Sequence, residues 1–407
     1  MVAPQVALQQ ITERILAAPS KAVPLRIRGG GSKDFYGQSL LGELLDTTGL
    51  QGIVSYEPSE LVLTAHAGTP LAEVEAVLAD KGQCLPFEPP HFAPVDAPTG
   101  APVEPRAAPS RAVASTATLG GAVACGLSGP ARASVGSLRD YVLGARFING
   151  KGEHLTFGGQ VMKNVAGYDI SRLLAGSMGM LGVITQVSLK VLPMAVAEAT
   201  LLGRGLSQTL ALDVLHRWLA QPLPLNASRW LCADATQPQQ GDLWLRLRGT
   251  QAAVHSAATR LLAELTEAGA QAALLDRAEA ALDWQACRHQ TLPFFKPARD
   301  EYALWRLSLP PTAPALDLPF ASLIEWHGGL RWLWAPASAA TLLREAAQQV
   351  GGQATLFRPS IAHGDADRAV GVFTPLDALQ RRLQSNIQKQ FDPHGVFNTG
   401  RLAIGAA

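Results

Sequence analysis

The sequence has little charge and no long apolar run, and each shortage excludes a class of protein. Charged residues make up 16% of the 407 residues and the formal net charge is +1, which argues against nucleic acid as the main partner. No stretch reaches the roughly 18 to 20 apolar residues that a membrane-spanning helix needs. The first fifteen residues lack the basic and apolar regions of a signal peptide. The sequence therefore predicts a cytoplasmic protein that reaches a membrane, if at all, only through partners.

Cysteines are also few, and they are widely spaced. No CxxC pair is present, and no histidine cluster lies near any of the four. A zinc or iron–sulfur site built from this chain alone is therefore not expected, and buried free thiols are the better interpretation. The four residues are Cys84, Cys125, Cys232 and Cys287.

What the chain does contain is 47% hydrophobic residues, enough for two or more domains at this length. Patterning predicts a first domain over 1–194, interrupted by a proline-rich insertion at 93–114 that has almost no large apolar side chain. Alternating strands and helices over 195–360 predict an α+β cap domain with an antiparallel sheet. The remainder, 361–407, contains a last helix over 375–390.

One helix in the first domain has clear start and stop signals. Apolar residues at helical spacing run over 69–82, with Pro70 at the first position and Gly82 as the stop. Thr69 stands where an N-cap is expected. The sequence therefore predicts a helix that begins directly after Thr69.

A run of three glycines is the first feature that suggests chemistry. The segment RGGGSK at 28–33 places the glycines between two cations and a hydroxyl. Each glycine loses on the order of 0.5–1 kcal/mol against alanine when it is ordered. A flexible hinge is one explanation, and a tight loop whose backbone N–H groups converge on an anion is the other. The spacing matches neither a P-loop nor a dinucleotide fingerprint.

Two further glycine clusters occur before residue 194. TLGG at 118–121 precedes a segment of small residues, and GSMGMLGVI at 176–184 runs into a predicted strand. Tight turns and close packing would explain each cluster separately. Three clusters in one domain favour a large cofactor that lies across bare backbone.

These motifs, taken in order, resemble a known family. RGGGSK, STATLGG, GGQVMKNVAGYDISRLLAGSMGMLGVI and FDPHGVFNTGR are similar to segments of the vanillyl-alcohol-oxidase/PCMH flavoprotein superfamily. Within it they most resemble the FAD-binding subunits of glycolate oxidase. The resemblance implies an α+β protein, with a two-lobed PCMH-type FAD-binding domain and an α+β cap. It also implies that the C-terminal segment returns to the FAD domain.

The function implied is that of an FAD-binding subunit in a complex that oxidises glycolate, a small 2-hydroxyacid, to glyoxylate. Its partners would be a second FAD-linked subunit and an iron–sulfur subunit that receive the electrons. Two alternatives stay open. One is a self-sufficient FAD-dependent D-2-hydroxyacid dehydrogenase of the D-lactate type, and the other is a non-catalytic assembly subunit that keeps the fold.

The resemblance also assigns cofactor-binding residues. The first glycine loop matches the segment that cradles the FAD pyrophosphate, the second lies against the pyrophosphate and flavin, and the third leads into a strand whose backbone meets the cofactor. A residue near the C-terminus reaches the flavin edge. The residues are Arg28, Gly29, Gly30, Gly31, Ser32, Lys33, Thr118, Gly120, Gly121, Gly179, Gly182, Val183, Ile184 and Asn398.

Two departures from the family pattern carry further expectations. Ser32 stands where members with covalent flavin have a histidine, so non-covalent FAD is expected. The cap lacks the histidine-rich motif of the catalytic relatives and offers only Glu325 and His327, so no metal site is predicted. The catalytic group stays unassigned, with Lys163 and His327 as candidates. A structural role is the alternative for His327.

Overall fold

The computed structural model describes residues 4–92, 116–159, 169–232 and 240–402. The predicted insertion at 93–114 and the candidate Lys163 lie outside these residues. The chain divides into two compact units. Unit 1 comprises the described residues of Met1–Leu127, Ser137–Pro193 and Leu376–Ala406, and unit 2 comprises those of Ser128–Gly136 and Met194–Pro375.

The strands of unit 1 form three sheets. They are β1 (Leu25–Arg28), β2 (Glu43–Asp46), β3 (Ile53–Glu57), β4 (Val62–His66), β5 (Gln83–Cys84), β6 (Val142–Ile148), β7 (His154–Gly158), β8 (Val183–Lys190) and β9 (Leu192–Pro193). The largest sheet has the order β3-β4-β8-β6-β7 and is antiparallel throughout. The parallel pair β1-β2 and the antiparallel pair β5-β9 are the other two.

Unit 2 is built on one eight-stranded sheet. Its strands are β10 (Ala197–Ser207), β11 (Leu225–Cys232), β12 (Gln240–Gly249), β13 (Gln271–Leu274), β14 (Tyr302–Ser308), β15 (Ser322–Glu325), β16 (Leu330–Pro336) and β17 (Gln353–Arg358). The order is β13-β10-β12-β11-β15-β16-β14-β17, and every pair is antiparallel. The predicted α+β class with an antiparallel cap sheet is confirmed.

Ten α-helices occur in the described part of the chain. They are α1 (Pro4–Lys21), α2 (Leu71–Ala79), α3 (Leu119–Cys125), α4 (Arg132–Val135), α5 (Ile170–Leu173), α6 (Gln208–Leu219), α7 (Gln251–Glu267), α8 (Arg277–His289), α9 (Ala340–Gln349) and α10 (Ala378–Phe391). Six 3-10 segments accompany them, at Pro58–Glu60, Leu138–Tyr141, Pro293–Phe295, Trp326–Gly328, Ala337–Ala339 and Gly364–Val370.

The prediction that Thr69 caps α2 is wrong. Pro70 holds the N-cap position, and the Thr69 hydroxyl instead accepts a hydrogen bond from Gly52 N at 3.0 Å and donates to Gly52 O at 3.2 Å. A hydroxyl engaged by a neighbouring turn is not available to the first helical turn. The helix begins at Leu71, one residue later than predicted.

Helix α6 shows how the sequence dictates packing in unit 2. The Ser207 hydroxyl caps it by accepting from Leu210 N at 3.2 Å, and its apolar residues recur at three- and four-residue spacing. The side chains of Leu212, Leu215 and Trp218 are at most 1% exposed. Burying each contributes on the order of 1.5–3 kcal/mol, so packing against the sheet fixes this helix.

In unit 1 one apolar cluster fixes the position of the segments around the glycine loops. Helix α1, strands β1 and β2, and the C-terminal segment all contribute buried side chains to it. Leu25 and Phe397 form an isolated parallel bridge, with Leu25 N donating to Val396 O and Asn398 N donating to Leu25 O. The residues after β1 and after Phe397 therefore leave the core side by side.

Candidate cofactor site

Four segments of unit 1, together with Thr47 and Ala67, line one open cavity. They are the loop after β1, the start of α3, the turns before β8 and the C-terminal segment. The cavity measures about 760 Å³, including the solvent at its mouth. The predicted residues that line it are Arg28, Gly29, Gly30, Gly31, Ser32, Lys33, Thr118, Gly120, Gly121, Gly179, Gly182, Ile184 and Asn398.

The loop after β1 presents a row of unused hydrogen-bond donors to this cavity. Within the described residues, none of the five backbone N–H groups from residue 29 to residue 33 donates to a protein acceptor. Gly29, Gly30 and Gly31 are only partly buried, so their N–H groups are accessible to an acceptor that enters the cavity. Successive N–H groups in a glycine-rich turn form a concave anion site. This arrangement favours the anion-binding loop over the hinge.

Close approach explains two of the three glycines. A Cβ on Gly30 would lie 1.5 Å from Thr116 O, and one on Gly29 would lie 2.4 Å from Thr118 Oγ1. Gly31 has φ of +72°, in the region that favours glycine. The first glycine loop therefore packs directly against the chain that leads into α3.

The second glycine cluster was expected to form a loop, but it begins a helix. Thr118 is the N-cap of α3, and both glycines lie in its first turn. Gly120 N donates to Ala67 O at 2.7 Å, and Gly121 N donates to Thr118 Oγ1 at 3.2 Å. A Cβ on Gly120 would meet Ala67 Cβ at 2.6 Å. These amides are used inside the protein, so the glycines here serve close packing of the cavity wall.

The third cluster lines the cavity with Gly179, Gly182 and Ile184 but not with Val183. The Val183 side chain is fully buried and belongs to the apolar cluster beneath the cavity. Alternation along β8 places neighbouring side chains on opposite faces. The Val183 side chain therefore points away from the cavity, and the expectation that its backbone meets the cofactor stays a prediction.

Asn398 holds two walls of the cavity together. Its Oδ1 accepts from Ile27 N at 2.8 Å and its Nδ2 donates to Met178 O at 2.6 Å. A Cβ on Gly179 would lie 2.7 Å from Asn398 Nδ2, so that glycine admits the amide. The residue predicted to reach the flavin edge thus also links β1 to the turn before β8.

Arg401 makes a second link of the same kind. Its guanidinium donates to Asp34 O at 2.8 Å and to Gln38 O, and its backbone N–H donates to Asn398 O. Arg401 and Cys125 also line the cavity, and neither is among the binding residues predicted from the sequence. The cation at the end of FNTGR was the available signal for Arg401.

Positive charge predominates in the cavity. Arg28 pairs with Asp34 across 2.7 Å, which closes the glycine loop. The Lys33 side chain is 7% exposed, its Nζ lies 3.2 Å from Ser32 Oγ, and burial lowers its pKa. No carboxylate of the described residues forms an ion pair with Lys33. A buried, unpaired ammonium favours an anionic ligand.

His327 has a different environment, in unit 2. Its side chain is 1% exposed. Its Nδ1 lies 2.9 Å from Ser228 Oγ and its Nε2 lies 3.1 Å from Ser134 Oγ. Burial lowers its pKa from 6.5 to about 4, so the ring is neutral near pH 7. With both ring nitrogens engaged by serines, this geometry favours the structural role over the catalytic one.

Metal chemistry has no evident support in the described ranges. No group of three histidine, cysteine, aspartate or glutamate side chains there is arranged to hold a metal ion. The Glu325 carboxylate instead accepts from Trp332 Nε1 at 2.8 Å and from the Cys287 thiol at 3.2 Å. None of the helices described is both long and apolar enough to cross a membrane.

Comparison with known proteins gives this cavity a context. The model of the FAD binding domain family matches residues 6–97. The chain is 43% identical over 394 residues to glycolate oxidase subunit GlcE of Escherichia coli K12, covering 97% of each chain. It is 37% identical over 86 residues to glycolate oxidase subunit GlcD of Bacillus subtilis, which covers 21% of this chain and 18% of that one.

Solved structures of low sequence identity share the fold. A 4-ethylphenol oxidase from Gulosibacter chungangensis aligns with a TM-score of 0.67 at 11% identity, covering 98% of this chain and 88% of that one. An alkyldihydroxyacetonephosphate synthase aligns with a TM-score of 0.63 at 13% identity, covering 96% and 75%. These likenesses concern the architecture alone.

Proposed function

The chain belongs to the family of the glycolate oxidase subunit GlcE, and we propose on this basis that it is the FAD-binding subunit of a complex that oxidises glycolate to glyoxylate. The observation that carries the proposal is the row of backbone N–H groups at 29–33 that have no acceptor among the described residues, in a cavity of a chain related to FAD-linked proteins. A diphosphate is the anion in FAD that such a row suits.

The residues of the cavity divide into three roles. The N–H groups of the first glycine loop, together with Lys33, would hold the pyrophosphate of FAD. Gly179, Gly182 and Ile184 would form a wall of the flavin site. Asn398 and Arg401 keep these walls in place through the hydrogen bonds described above. When bound, FAD would supply two-electron redox chemistry at this site.

FAD is proposed to be held without a covalent bond. Ser32 occupies the loop position that a histidine would need, and the described lining contains no histidine or tyrosine. Cys125 lies in the lining, but burial raises the pKa of its thiol and so disfavours the nucleophilic thiolate. Acid precipitation of the holoprotein is expected to leave the flavin in the supernatant.

The partners proposed are a second FAD-linked glycolate oxidase subunit and an iron–sulfur subunit that passes electrons onward. The subunit wording of the two glycolate oxidase relatives supports a multi-subunit assembly. The complex is proposed to work in the cytoplasm and to reach the inner membrane only through partner subunits. Co-purification with companion subunits of the same organism, with flavin and iron counted per complex, tests this composition.

Oxidation of glycolate removes two electrons and two protons from the hydroxyl-bearing carbon and its oxygen. No described residue of this chain is assigned as the base, because both ring nitrogens of His327 are engaged. Substrate oxidation is therefore proposed to need the companion subunit. A self-sufficient dehydrogenase remains the competing function.

A dye-reduction assay separates these functions. The assembled complex is expected to reduce an artificial acceptor with glycolate, whereas the isolated, FAD-loaded chain is expected not to. Turnover by the isolated chain would favour the self-sufficient dehydrogenase. Full activity of a complex that contains Gly30→Asp, which crowds the loop with a negative charge, would favour the non-catalytic assembly subunit.

A further inference from the structure

Helix α10 exposes large apolar side chains that a helix of a folded protein usually buries. None of its fourteen residues is buried, and the large apolar side chains Leu379 and Leu383 are 65% and 53% exposed. Leu379, Leu383 and Ile387 are four residues apart, so they form one stripe along the helix. Isolated helices of this length are marginal in water and depend on packing of an apolar face.

Only the second half of this stripe packs on unit 1. Ile387 and Phe391 contact the main apolar core there, and Ile387 lines a groove with Leu173, Met180, Gln384 and Gln388. The same helix face continues toward the N-terminus as Leu383 and Leu379, with no described side chain covering it. The exposed half is thus an extension of a face that packs where it has a partner.

All charged side chains of α10 are positive. Residues 378–391 contain Arg381, Arg382 and Lys389 and no acidic residue. In the part of the chain that is described, none of these cations forms an ion pair. Asp377, just before the helix, is used as the N-cap and accepts from Gln380 N at 2.7 Å. Arg382 follows Leu379 and precedes Leu383, so it flanks the leucine stripe.

We propose that the exposed half of α10 docks into a partner subunit, in a groove with an apolar floor and carboxylates along its edge. The leucines supply the anchors at four-residue spacing that helix-in-groove recognition uses, and Arg382 supplies charge complementarity. Gln380 and Gln384 lie on the other flank of the stripe and provide the hydrogen-bonding rim of a protein interface. The inference rests on the proposed function only in taking the chain to be part of a complex.

An anionic membrane is the occupant that these features favour less. Helices that lie in a membrane interface combine cations with a broad apolar face rich in tryptophan, phenylalanine and leucine. The uncovered half of α10 offers two leucines and no aromatic residue, and glutamines occupy one flank. A groove in a protein can hydrogen-bond with the glutamine side chains and also bury the leucines.

The test uses the complete chain co-expressed with its second FAD-linked subunit and iron–sulfur subunit. Leu379→Glu combined with Leu383→Glu is expected to weaken binding of at least one companion about a hundredfold or more, the scale of an interface hot spot. Leu282→Glu on α8, where the leucine is 69% exposed, is the matched control and is expected to keep both companions. Arg382→Ala is expected to slow association and to reduce its salt dependence.

Retention of both companions by the double variant would overturn the proposal. So would a wild-type dimer that dissociates in the double variant, or wild-type binding to vesicles of equal parts phosphatidylcholine and phosphatidylglycerol that the variant loses. Circular dichroism and the FAD content of each variant check that both leucine changes leave the fold intact. Glycolate-dependent dye reduction by the wild-type complex is measured in parallel, so failure of the proposed function is distinguished from failure of the docking surface.

Discussion

At the scale of single residues, the charge of Lys33 is expected to affect both the stability of the protein and its affinity for FAD. Its ammonium is buried and has only the Ser32 hydroxyl as a described polar partner. Lys33→Met is expected to stabilise the FAD-free protein, because an unpaired buried charge is removed. FAD affinity is expected to fall roughly tenfold to a hundredfold, the range for losing a hydrogen bond from a charged group. Thermal unfolding and flavin titration measure the two effects, with exposed Lys81→Met as control.

The pH dependence of stability gives Lys33 a further signature. Burial lowers its pKa from the usual 10.5, so the unfolded chain binds more protons just below pH 10.5 than the folded one. The unfolding free energy of the FAD-free protein is therefore expected to gain a contribution as pH rises through this window. Lys33→Met removes that gain. Identical pH profiles for the two proteins would contradict the charged, unpaired state of Lys33.

His327 is expected to affect the unfolding free energy at the acidic end of the pH range. Its pKa is lowered from 6.5 to about 4 by burial, so the unfolded state binds the extra proton as the solution becomes acidic. The unfolding free energy is expected to fall by about 3 kcal/mol as pH drops from 6.5 to 4. His327→Asn should flatten this part of the profile, as judged by denaturant unfolding. Loss of complex activity at pH 7 with the fold intact would instead give His327 a direct role in the reaction.

At the scale of elements, the C-terminal segment links the walls of the cavity. Asn398 joins β1 to the turn before β8 and has φ of +39°. Asn398→Gly keeps that backbone conformation accessible but leaves Ile27 N–H and Met178 C=O without their partner. We expect FAD to bind about tenfold to a hundredfold more weakly, since an unsatisfied group costs about 1–3 kcal/mol. Asn386→Gly, exposed on α10, is the control for helix and backbone effects: it should lower helix stability while flavin titration shows unchanged affinity.

The same elements show how far the sequence predicts the site. Local signals placed the glycine loop after β1 and the antiparallel cap sheet, because glycine runs and apolar alternation act over a few residues. Local signals could not show that Ala67 packs against Gly120, or that the Thr69 hydroxyl hydrogen-bonds with Gly52. They also missed Arg401, whose partners Asp34 and Gln38 are more than 350 residues away in the chain. Contacts of that separation depend on the tertiary fold.

At the scale of the whole molecule, all described residues that line the cavity belong to unit 1. Its walls come from both ends of the chain and from the segments around α3 and β8. The domain limits predicted at residues 194 and 360 stay predictions. Contacts within the structure divide the chain after Pro193 and after Pro375. Truncation before residue 376 would remove Asn398 and Arg401, and is therefore expected to abolish FAD binding.

The most direct measurement is the flavin count of the isolated chain after reconstitution with FAD and removal of the excess. We expect about one FAD per wild-type chain, released into the supernatant by acid precipitation. Gly30→Ala, whose Cβ would lie 1.5 Å from Thr116 O, should bind roughly tenfold to a hundredfold more weakly. Gly249→Ala meets only ordinary contacts at 3.5 Å and should match the wild type. A wild-type chain that retains no flavin, or that keeps it in the acid precipitate, would contradict a non-covalent FAD site in this cavity.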